Sequence, residues 1–161
     1  MSQAVRPSTL ADLRAMIGES IGPSEWVAVT QDAIDLFAEA TGDRQWIHVD
    51  PERAARGPFG TTIAHGLYSL SLAPGMSGQL IDHSGFAHSL NYGYEKIRFP
   101  APVPVGSRLR MRLSIVAAEP VAGGGIQLRT SQTIEREGST KPVLVAENVS
   151  RIIPAPAPED A

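Results

Sequence analysis

The sequence contains no cysteine, which excludes disulfides, cysteine nucleophiles and thiolate metal sites. It has no uncharged run suited to spanning a membrane, because the stretch 66–81 is short and is interrupted by Pro74 and Gly75. Residues 1–7 lack the apolar core of a signal peptide. Basic residues are scattered and the formal net charge is −3, so nothing favours a nucleic-acid partner. Together these absences predict a cytoplasmic protein with no membrane span and no nucleic-acid partner.

The composition is that of one folded domain. Of the 161 residues, 42% are hydrophobic and 19% are charged, which is enough to bury a core. No internal repeat or linker divides the chain. We expect a helical extension over residues 1–24, a single domain over 25–153, and a disordered tail over 154–161, which is rich in proline and alanine.

Two short helices are predicted on either side of a segment punctuated by turn residues, 41–51. The first begins after Thr30, a typical N-cap, and ends at Gly42, where a left-handed C-cap is expected. Its apolar side recurs at helical spacing, at Ile34, Phe37, Ala38 and Thr41. The second runs over 50–56, with a proline in its first helical position. The segment between them is expected to be irregular, with Asp43 on a loop whose root is fixed.

A longer helix begins near His65. Apolar residues occur almost all round its helical wheel, so we predict that it is buried on all sides and that Pro74 bends or ends it. Four strands are expected to follow, over residues 90–99, 107–117, 126–135 and 143–153, after a short strand at 26–29. One buried helix followed by four antiparallel strands predicts an α+β fold in which the sheet wraps the helix.

Most charged side chains in the second half of the sequence are predicted to lie at the surface of the protein. Arg108, Arg110 and Arg112 alternate with apolar residues, which predicts a solvent-facing row and leaves open a contact with phosphate. His83 and His88 lie near turn signals and are predicted to be surface residues.

Asp43 and His48 are a candidate acid/base pair, five positions apart in the segment 41–51. Histidine exchanges protons near neutral pH, and a carboxylate becomes an effective base when part of its hydration is removed. A water held between them could lose a proton to one group while the other protonates a substrate. The alternative is structural, with Asp43 capping a turn and His48 making a local hydrogen bond, and the spacing is compatible with both.

His65 and Gly66 form the second half of the candidate site. A helix N-terminus offers free N–H groups to an oxygen that gains negative charge, and glycine lets a ligand approach the backbone closely. The alternative is a glycine selected for packing beside a histidine that caps the helix. No two histidines have the i, i+4 spacing of the familiar zinc motif, so no metal site is predicted.

These segments resemble the MaoC-like dehydratases, a family of (R)-specific enoyl-CoA hydratases. The run 37–51 is similar to the hydratase-2 motif, and Ile63-Ala64-His65-Gly66 matches the turn into the family's central helix. Residues 91–93 and 98–106 look like the following strand and its connector. The resemblance covers about 26–153 and is especially close to the subgroup of nodulation protein N and single-domain mycobacterial hydratases.

The resemblance implies a hotdog fold, in which an antiparallel sheet wraps a long central helix, and a homodimer. It implies reversible syn hydration of a trans-2-enoyl-CoA to an (R)-3-hydroxyacyl-CoA, with no metal or other cofactor because coenzyme A belongs to the substrate. By position, Asp43 and His48 would be the catalytic dyad, and the N–H of Gly66 would be the oxyanion donor. The substrate-binding residues would be Ile63, Ala64, His65, Asn91 and Tyr92.

Two positions depart from the family pattern. Gln45-Trp46-Ile47 stands where many members have Asn-Pro-Leu, and Pro74 stands where some have a serine near the substrate. These departures concern the support of the dyad and the preferred chain length more than the reaction. Two rival functions are a hotdog thioesterase, in which water attacks the carbonyl carbon, and a non-catalytic acyl-thioester-binding accessory protein.

Overall fold

The chain forms five helices and six strands in the part described by the computed structural model, residues 4–155. The helices are α1 (Leu10–Ala15), α2 (Gln31–Thr41), α3 (Trp46–Val49), α4 (Pro51–Ala55) and α5 (Gly66–Gly78). The strands are β1 (Ser20–Ile21), β2 (Val27–Ala28), β3 (Phe86–Arg98), β4 (Arg108–Pro120), β5 (Ile126–Arg136) and β6 (Leu144–Pro154). The predicted tail, 154–161, lies mostly outside the described residues, and its first residue ends β6.

All six strands belong to one antiparallel sheet with the order β1-β4-β5-β6-β3, and β2 also pairs with β4. The four long strands are those predicted from the sequence, with ends that differ by a few residues. The short strand β2 lies inside the predicted stretch 26–29. Strand β1 was not predicted, because two residues are too few to show an alternating pattern.

The alternation along β4 is confirmed. The residues buried on its core face include Leu109, Met111 and Leu113. On the other face, Arg108 bonds to Glu137 at 3.0 Å, Arg110 pairs with Glu135, and both guanidinium groups lie over the ring of Trp26. The first two arginines of the row therefore meet partners from this chain, which favours the solvent-facing interpretation over a phosphate site.

Helix α5 packs against β4, β5 and β6 and forms, with the sheet, the predicted α+β hotdog arrangement. Its buried residues are Tyr68, Ser69, Ala73 and Met76. The prediction that it is buried on all sides is wrong for a single chain, because Leu67 is 59% exposed. The helix also continues to Gly78, so Pro74 does not end it.

Helix α1 packs directly on the sheet, against β4. Leu13 of α1 is fully buried, and the Nε of Arg14 donates to the carbonyl oxygen of Ala118 at 3.1 Å. The predicted division at residue 24 stays a prediction. Within residues 4–155, no helix is both long and apolar enough to cross a membrane.

Candidate active site

Asp43 is placed by the end of α2, whose two caps were predicted from the sequence and are confirmed. The Thr30 side chain accepts a hydrogen bond from the N–H of Ala33 at 3.2 Å. Gly42 has φ of 79° and donates its N–H to the carbonyl of Ala38 at 2.8 Å, which closes the C-terminus in a conformation that favours glycine. The exposed carboxylate of Asp43 follows at once.

The segment 41–51 is more regular than expected. Residues 46–49 form the helical turn α3, and α4 follows after Asp50, whose side chain accepts from the N–H of Arg53 at 3.0 Å. The expectation of irregular structure was wrong because four residues are too short to show a helical period. This turn carries His48 into the interior, where it is only 6% exposed.

The backbone fixes the tautomer of His48. Its Nδ1 lies 2.6 Å from the carbonyl oxygen of Ile63, and because a carbonyl can only accept, Nδ1 carries the proton. The neutral ring is left with a lone pair on Nε2. The acceptor is itself held in place, since the N–H of Ile63 donates to Ile47 at 3.0 Å and the N–H of Ala64 donates to Val103 at 2.8 Å.

His48 is held in its neutral form. Burial lowers the pKa of His48, the hydrogen bond to Ile63 opposes that effect, His65 reinforces it and the charge of Asp43 opposes it. The net direction is downward from the ordinary value of 6.5. At neutral pH the ring is therefore a proton acceptor rather than a cation.

His65 contacts the dyad on its buried side. Its Nε2 donates to the carbonyl oxygen of Asp43 at 2.8 Å, and its ring stacks on that of His48 with the centres 3.8 Å apart. The side chain is 3% exposed, and its Nδ1 has no partner among the described residues. Its predicted contact with substrate stays a prediction, and the contacts in one chain are with Asp43 and His48.

A cleft of about 340 Å³ opens beside the dyad, with His48 and Gly66 in its wall. Ile63 and Ala64, both predicted to bind substrate, line it as well. Gly66 is the first residue of α5, so its N–H has no acceptor within the helix and stands at the positive end of the helix dipole. The structure therefore brings His48 and a backbone donor to one cleft. Asp43 does not line this cleft, but its carboxylate lies within 4.8 Å of a ring nitrogen of His48.

Two further residues of the cleft, Ser69 and Phe99, were missed by sequence reasoning. Ser69 is 1% exposed, and its Oγ has no partner among the described residues. The ring of Phe99 covers Gly66, since a Cβ placed on that glycine would meet ring atoms at 3.0 Å. Neither residue carries a signal in the sequence, because a serine within a helix and a phenylalanine at a strand end are ordinary.

Gln31 was also missed, although it ties the dyad segment to the turn before α5. Its Nε2 donates to the carbonyl oxygen of His48 at 2.8 Å and to the carboxylate of Asp35 at 2.8 Å. Its Oε1 accepts from the hydroxyl of Thr62 at 2.5 Å. In the sequence this glutamine stands in the first turn of an amphipathic helix, where a solvent-facing side chain is the ordinary expectation.

Residues 45–47, which differ from the family pattern, make contacts that can be described in the structure. Gln45 is the N-cap of α3 and makes no side-chain capping bond. The ring of Trp46 instead packs on Gly57, where a Cβ would lie 2.9 Å from it, and the guanidinium of Arg53 sits 4.5 Å from the ring centre. Trp46 thus fastens α3 to α4 by packing and a cation–π contact.

Asn91 and Tyr92 are not brought to the dyad within one chain. Asn91 lines a different cavity, toward the C-terminal end of α5, and accepts from the Nδ2 of Asn148 at 2.9 Å. Tyr92 is 67% exposed, with the guanidinium of Arg151 4.4 Å from its ring centre. Their predicted contact with substrate stays a prediction.

The two histidines read as surface residues differ. His88 is exposed on β3, as predicted. His83 is half-buried, with its Nδ1 enclosed, so the prediction for it was wrong. The turn signals near it do not show that its ring lies beside that of Phe86, with the ring centres 6.2 Å apart.

Asp43, His48 and His65 also invite comparison with a metal site, because one ligand atom from each lies within 4.8 Å of the others. The two rings are stacked, with 25° between their planes and 3.8 Å between their centres, so the lone pairs of the two rings lie in separate, nearly parallel planes. One nitrogen of each ring is already bonded to a carbonyl oxygen. A tetrahedral centre needs converging lone pairs, so the arrangement suits proton transfer better. The expected absence of a cofactor stays a prediction.

Comparison with known proteins gives a consistent result. A family model described as "MaoC like domain" matches residues 12–137. The chain is 54% identical over 145 residues to 3-hydroxyacyl-thioester dehydratase Z of Mycobacterium tuberculosis, covering 90% of this chain and 96% of that one. It is 44% identical over 152 residues to nodulation protein N of Rhizobium leguminosarum bv. viciae, covering 89% and 91%. The resemblance inferred from the motifs is therefore confirmed.

Among solved structures, the unliganded (R)-hydratase PhaJ1 of Pseudomonas aeruginosa matches with a TM-score of 0.70 over 96% of each chain. The two sequences are 22% identical, so this likeness bears on the fold alone. It confirms the predicted hotdog architecture.

Proposed function

The chain belongs to the MaoC-like family of dehydratases and is a hydro-lyase, and from that premise we propose that it hydrates a trans-2-enoyl-CoA reversibly to an (R)-3-hydroxyacyl-CoA. The observation that carries the proposal is the lone pair of His48 Nε2. Its position is fixed by the bond from Nδ1 to Ile63, beside the carboxylate of Asp43 and in one cleft with the N–H of Gly66. We also propose that the protein is cytoplasmic and that it needs no metal or redox cofactor.

Hydration begins with a water held between Asp43 and His48. One O–H of the water breaks, its proton goes to Nε2 of His48, and the oxygen forms a bond to the β-carbon of the enoyl group. The π electrons of the double bond move to the α-carbon and the thioester oxygen as an enolate. Asp43 accepts the second O–H of the water and stabilises the imidazolium that forms.

The second step returns the proton. The N–H of the His48 imidazolium gives it to the α-carbon, so a C–H bond forms and the neutral ring is restored. Because one nitrogen takes the proton and delivers it, oxygen and hydrogen arrive on the same face, which is syn addition. Dehydration of the 3-hydroxyacyl thioester is the reverse sequence.

The enolate oxygen is stabilised at the N-terminus of α5. The N–H of Gly66 donates to it, and the helix dipole favours its charge. The hydroxyl of Ser69, buried without a partner among the described residues and in the same cleft, supplies a second donor. Such donors act on charge that is larger in the transition state than in the substrate, so they raise the rate and not only the binding.

His65 and Gln31 act as positioning residues. His65 bonds the backbone of Asp43 and stacks on His48, and Gln31 bonds the backbone of His48. Each contact holds one dyad residue in place and leaves its reacting atom free to bind water.

A homodimer is part of the proposal. Strand β3 stands at an edge of the sheet, and its exposed apolar side chains include Leu90, 56% exposed, and Tyr92, 67% exposed. An edge strand with apolar side chains is a surface for pairing with a second chain. Pairing of β3 with its counterpart would cover it.

The test of the proposal uses Asp43→Asn and His48→Gln. We expect each to lower turnover of a trans-2-enoyl-CoA at least ~100-fold, the low end for lost acid/base catalysis, without a change in thermal unfolding. Unchanged rates in both variants would end the dyad hypothesis.

A thioesterase is the rival enzyme. The same assay separates the two, because a thioesterase releases free thiol whereas a hydratase removes the enoyl absorbance and keeps the thioester. An accessory binding protein would bind acyl-CoA across several chain lengths without either change.

A further inference from the structure

The ring of Phe99 lies against the start of α5. A Cβ built on Gly66 would have three ring atoms of Phe99 as its nearest neighbours, at 3.0, 3.0 and 3.2 Å. Because Cα–Cβ bonds tilt toward the N-terminus of a helix, the ring stands on the side of Gly66 to which the free N–H groups also point. Phe99 is therefore beside the donor that the proposed function assigns to the thioester oxygen.

The same ring separates Gly66 from solvent. Phe99 is 40% exposed in one chain, so one part of its ring meets the glycine and another part meets water. Phe59, which is 44% exposed, lines the same cleft, but the three atoms nearest to the Cβ position all belong to Phe99. The cover over the donor is thus provided by Phe99.

The backbone on both sides of Phe99 is held in place. Arg98 is the last paired residue of β3, and Pro100 restricts the residue before it to an extended conformation. Further along the chain, the N–H of Val105 donates to the carbonyl of Thr62 at 2.9 Å, which ties the connector to the turn before α5. The position of the ring is therefore set by the fold.

Most of the remaining cleft wall is apolar. The polar side chains found in it are those of His48 and Ser69, to which the proposed mechanism gives the proton transfer and the enolate oxygen. Apolar side chains offer water no hydrogen bonds, so they do not hold further water molecules in the cleft. These apolar residues are Phe59, Ile63, Ala64, Phe99, Ala101, Pro102, Val103 and Val143.

A thioester bound to the N–H of Gly66 is open to a second reaction, hydrolysis. The oxygen of a water forms a bond to the carbonyl carbon, the C–S bond breaks, and the sulfur leaves with its electron pair and takes the proton that the water loses. Negative charge develops on the thioester oxygen here too, so the same donor would stabilise this transition state. An oxyanion donor therefore does not decide between hydration and hydrolysis, whereas access of water to the carbonyl carbon does.

The ring stands where it can block that access. An oxygen that accepts from the N–H of Gly66 lies about 2.9 Å from the nitrogen, and the carbonyl carbon is about 1.2 Å beyond it. That nitrogen is one bond from the Cα that the ring of Phe99 covers. The carbonyl group then lies alongside the ring, with the ring between it and solvent.

We propose that Phe99 determines the reaction specificity by shielding the thioester carbonyl carbon from solvent water. The inference rests on the proposed function. With the ring in place, the water that reacts is the one held between Asp43 and His48, and it adds to the β-carbon. Phe99 contacts the substrate and takes no part in proton transfer.

The test compares wild type, Phe99→Ala and Phe59→Ala with two thioesters, trans-2-hexenoyl-CoA and the saturated hexanoyl-CoA. Loss of enoyl absorbance measures hydration, and release of free thiol measures hydrolysis. Hexanoyl-CoA has no double bond to hydrate, so it measures hydrolysis alone. Thermal unfolding of each variant shows whether the fold is kept.

We expect Phe99→Ala to raise the rate of thiol release from both thioesters at least about tenfold, because water then reaches a carbonyl group that is still held by the oxyanion donor. Phe59→Ala should release thiol at the wild-type rate, since the cover over Gly66 remains. A role of Phe99 in packing alone would lower hydration without raising thiol release. That result, or an equal rise in Phe59→Ala, would overturn the proposal. Should Phe99→Ala unfold, Phe99→Leu, whose side chain is smaller than the ring, is read in the same way.

Failure of this proposal and failure of the proposed function give different results. If wild type hydrates hexenoyl-CoA and Phe99→Ala gains no thiol release, the function stands and the shield is refuted. If wild type mainly releases thiol, both are refuted, because the carbonyl carbon is then open to water with the ring in place. If wild type does neither, the function is refuted and hexanoyl-CoA still tests the shield. Thiol release that appears only in Phe99→Ala then supports the shield, and its absence overturns it.

Discussion

Gly66→Ala tests whether the thioester oxygen approaches the start of α5. The substitution keeps the N–H and adds one methyl group at the wall of the cleft, where Cβ would lie 3.0 Å from two ring atoms of Phe99. Phe99 is 40% exposed, so its ring can move by the few tenths of an ångström required. The fold should therefore tolerate the change, while the approach of a substrate oxygen to the N–H is obstructed.

The expected magnitudes follow from this geometry. Alanine gains about 0.5–1 kcal/mol over glycine within a helix, and the contact with Phe99 offsets much of that gain, so thermal unfolding should change little. An obstructed oxyanion donor should lower kcat about 10²–10³-fold, as the loss of such a donor does elsewhere. Gly75→Ala is the matched control, because Gly75 lies in the same helix and a Cβ there meets nothing within 4 Å. That variant should be stabilised by the full helix gain and keep wild-type activity.

The assay follows loss of enoyl absorbance from a trans-2-enoyl-CoA, with thermal unfolding measured on the same samples. Wild-type kcat/KM in Gly66→Ala would refute the oxyanion role. A loss could also arise because the displaced ring of Phe99 blocks the cleft. Phe99→Ala and the double variant distinguish the two causes: if the penalty of Gly66→Ala disappears in the Phe99→Ala background, the ring was responsible and the oxyanion role is refuted.

Three further outcomes are expected. For hydration, kcat/KM should fall on the acid side with a midpoint below 6.5, because burial lowers the pKa of His48 and its protonation removes the base; a midpoint above 6.5 in a pH–rate profile would contradict this assignment. Ser69→Ala should lower kcat about tenfold, because it removes a buried donor that has no partner among the described residues. Ser71→Ala should leave kcat unchanged, because the hydroxyl of Ser71 is exposed and already bonds to a carbonyl at 2.8 Å. Equal kcat values for the two variants would argue against a donor at Ser69. Tyr92→Glu should shift the protein toward monomer in sedimentation, since it places a charge on the edge strand β3, and an unchanged dimer would put the interface elsewhere.

Local signals in the sequence predicted those parts of the fold that depend on near neighbours. Thr30 and Gly42 mark the ends of α2 because capping is decided within a few residues. The alternation around Met111 predicts β4 because one face of the strand is buried. The turn α3 was missed because its four residues show no period.

In the candidate site, too, the sequence predicted residues that belong to local motifs and missed residues whose contacts are distant in the chain. Asp43, His48 and Gly66 could be picked out because their motifs are local. Gln31 is joined to its partners 17 and 31 positions away, and no spacing rule predicts contacts set by how segments pack. The exposed position of Leu67 could not be predicted either, because the hydropathy of a helix does not say whether its own chain covers every side.

The bond from His48 to the carbonyl of Ile63 places part of the chemistry in the main chain. Any side chain at position 63 presents the same acceptor, and that oxygen and the N–H of Gly66 belong to the first and the third of three consecutive peptide units. The distance between the atom that moves the proton and the donor that stabilises the enolate therefore depends on the backbone conformation of residues 63–66 and on the bond from His48 to Ile63. Substitutions in the core can alter stability without changing this distance. One inserted residue between Ile63 and Gly66 would disrupt base and donor together.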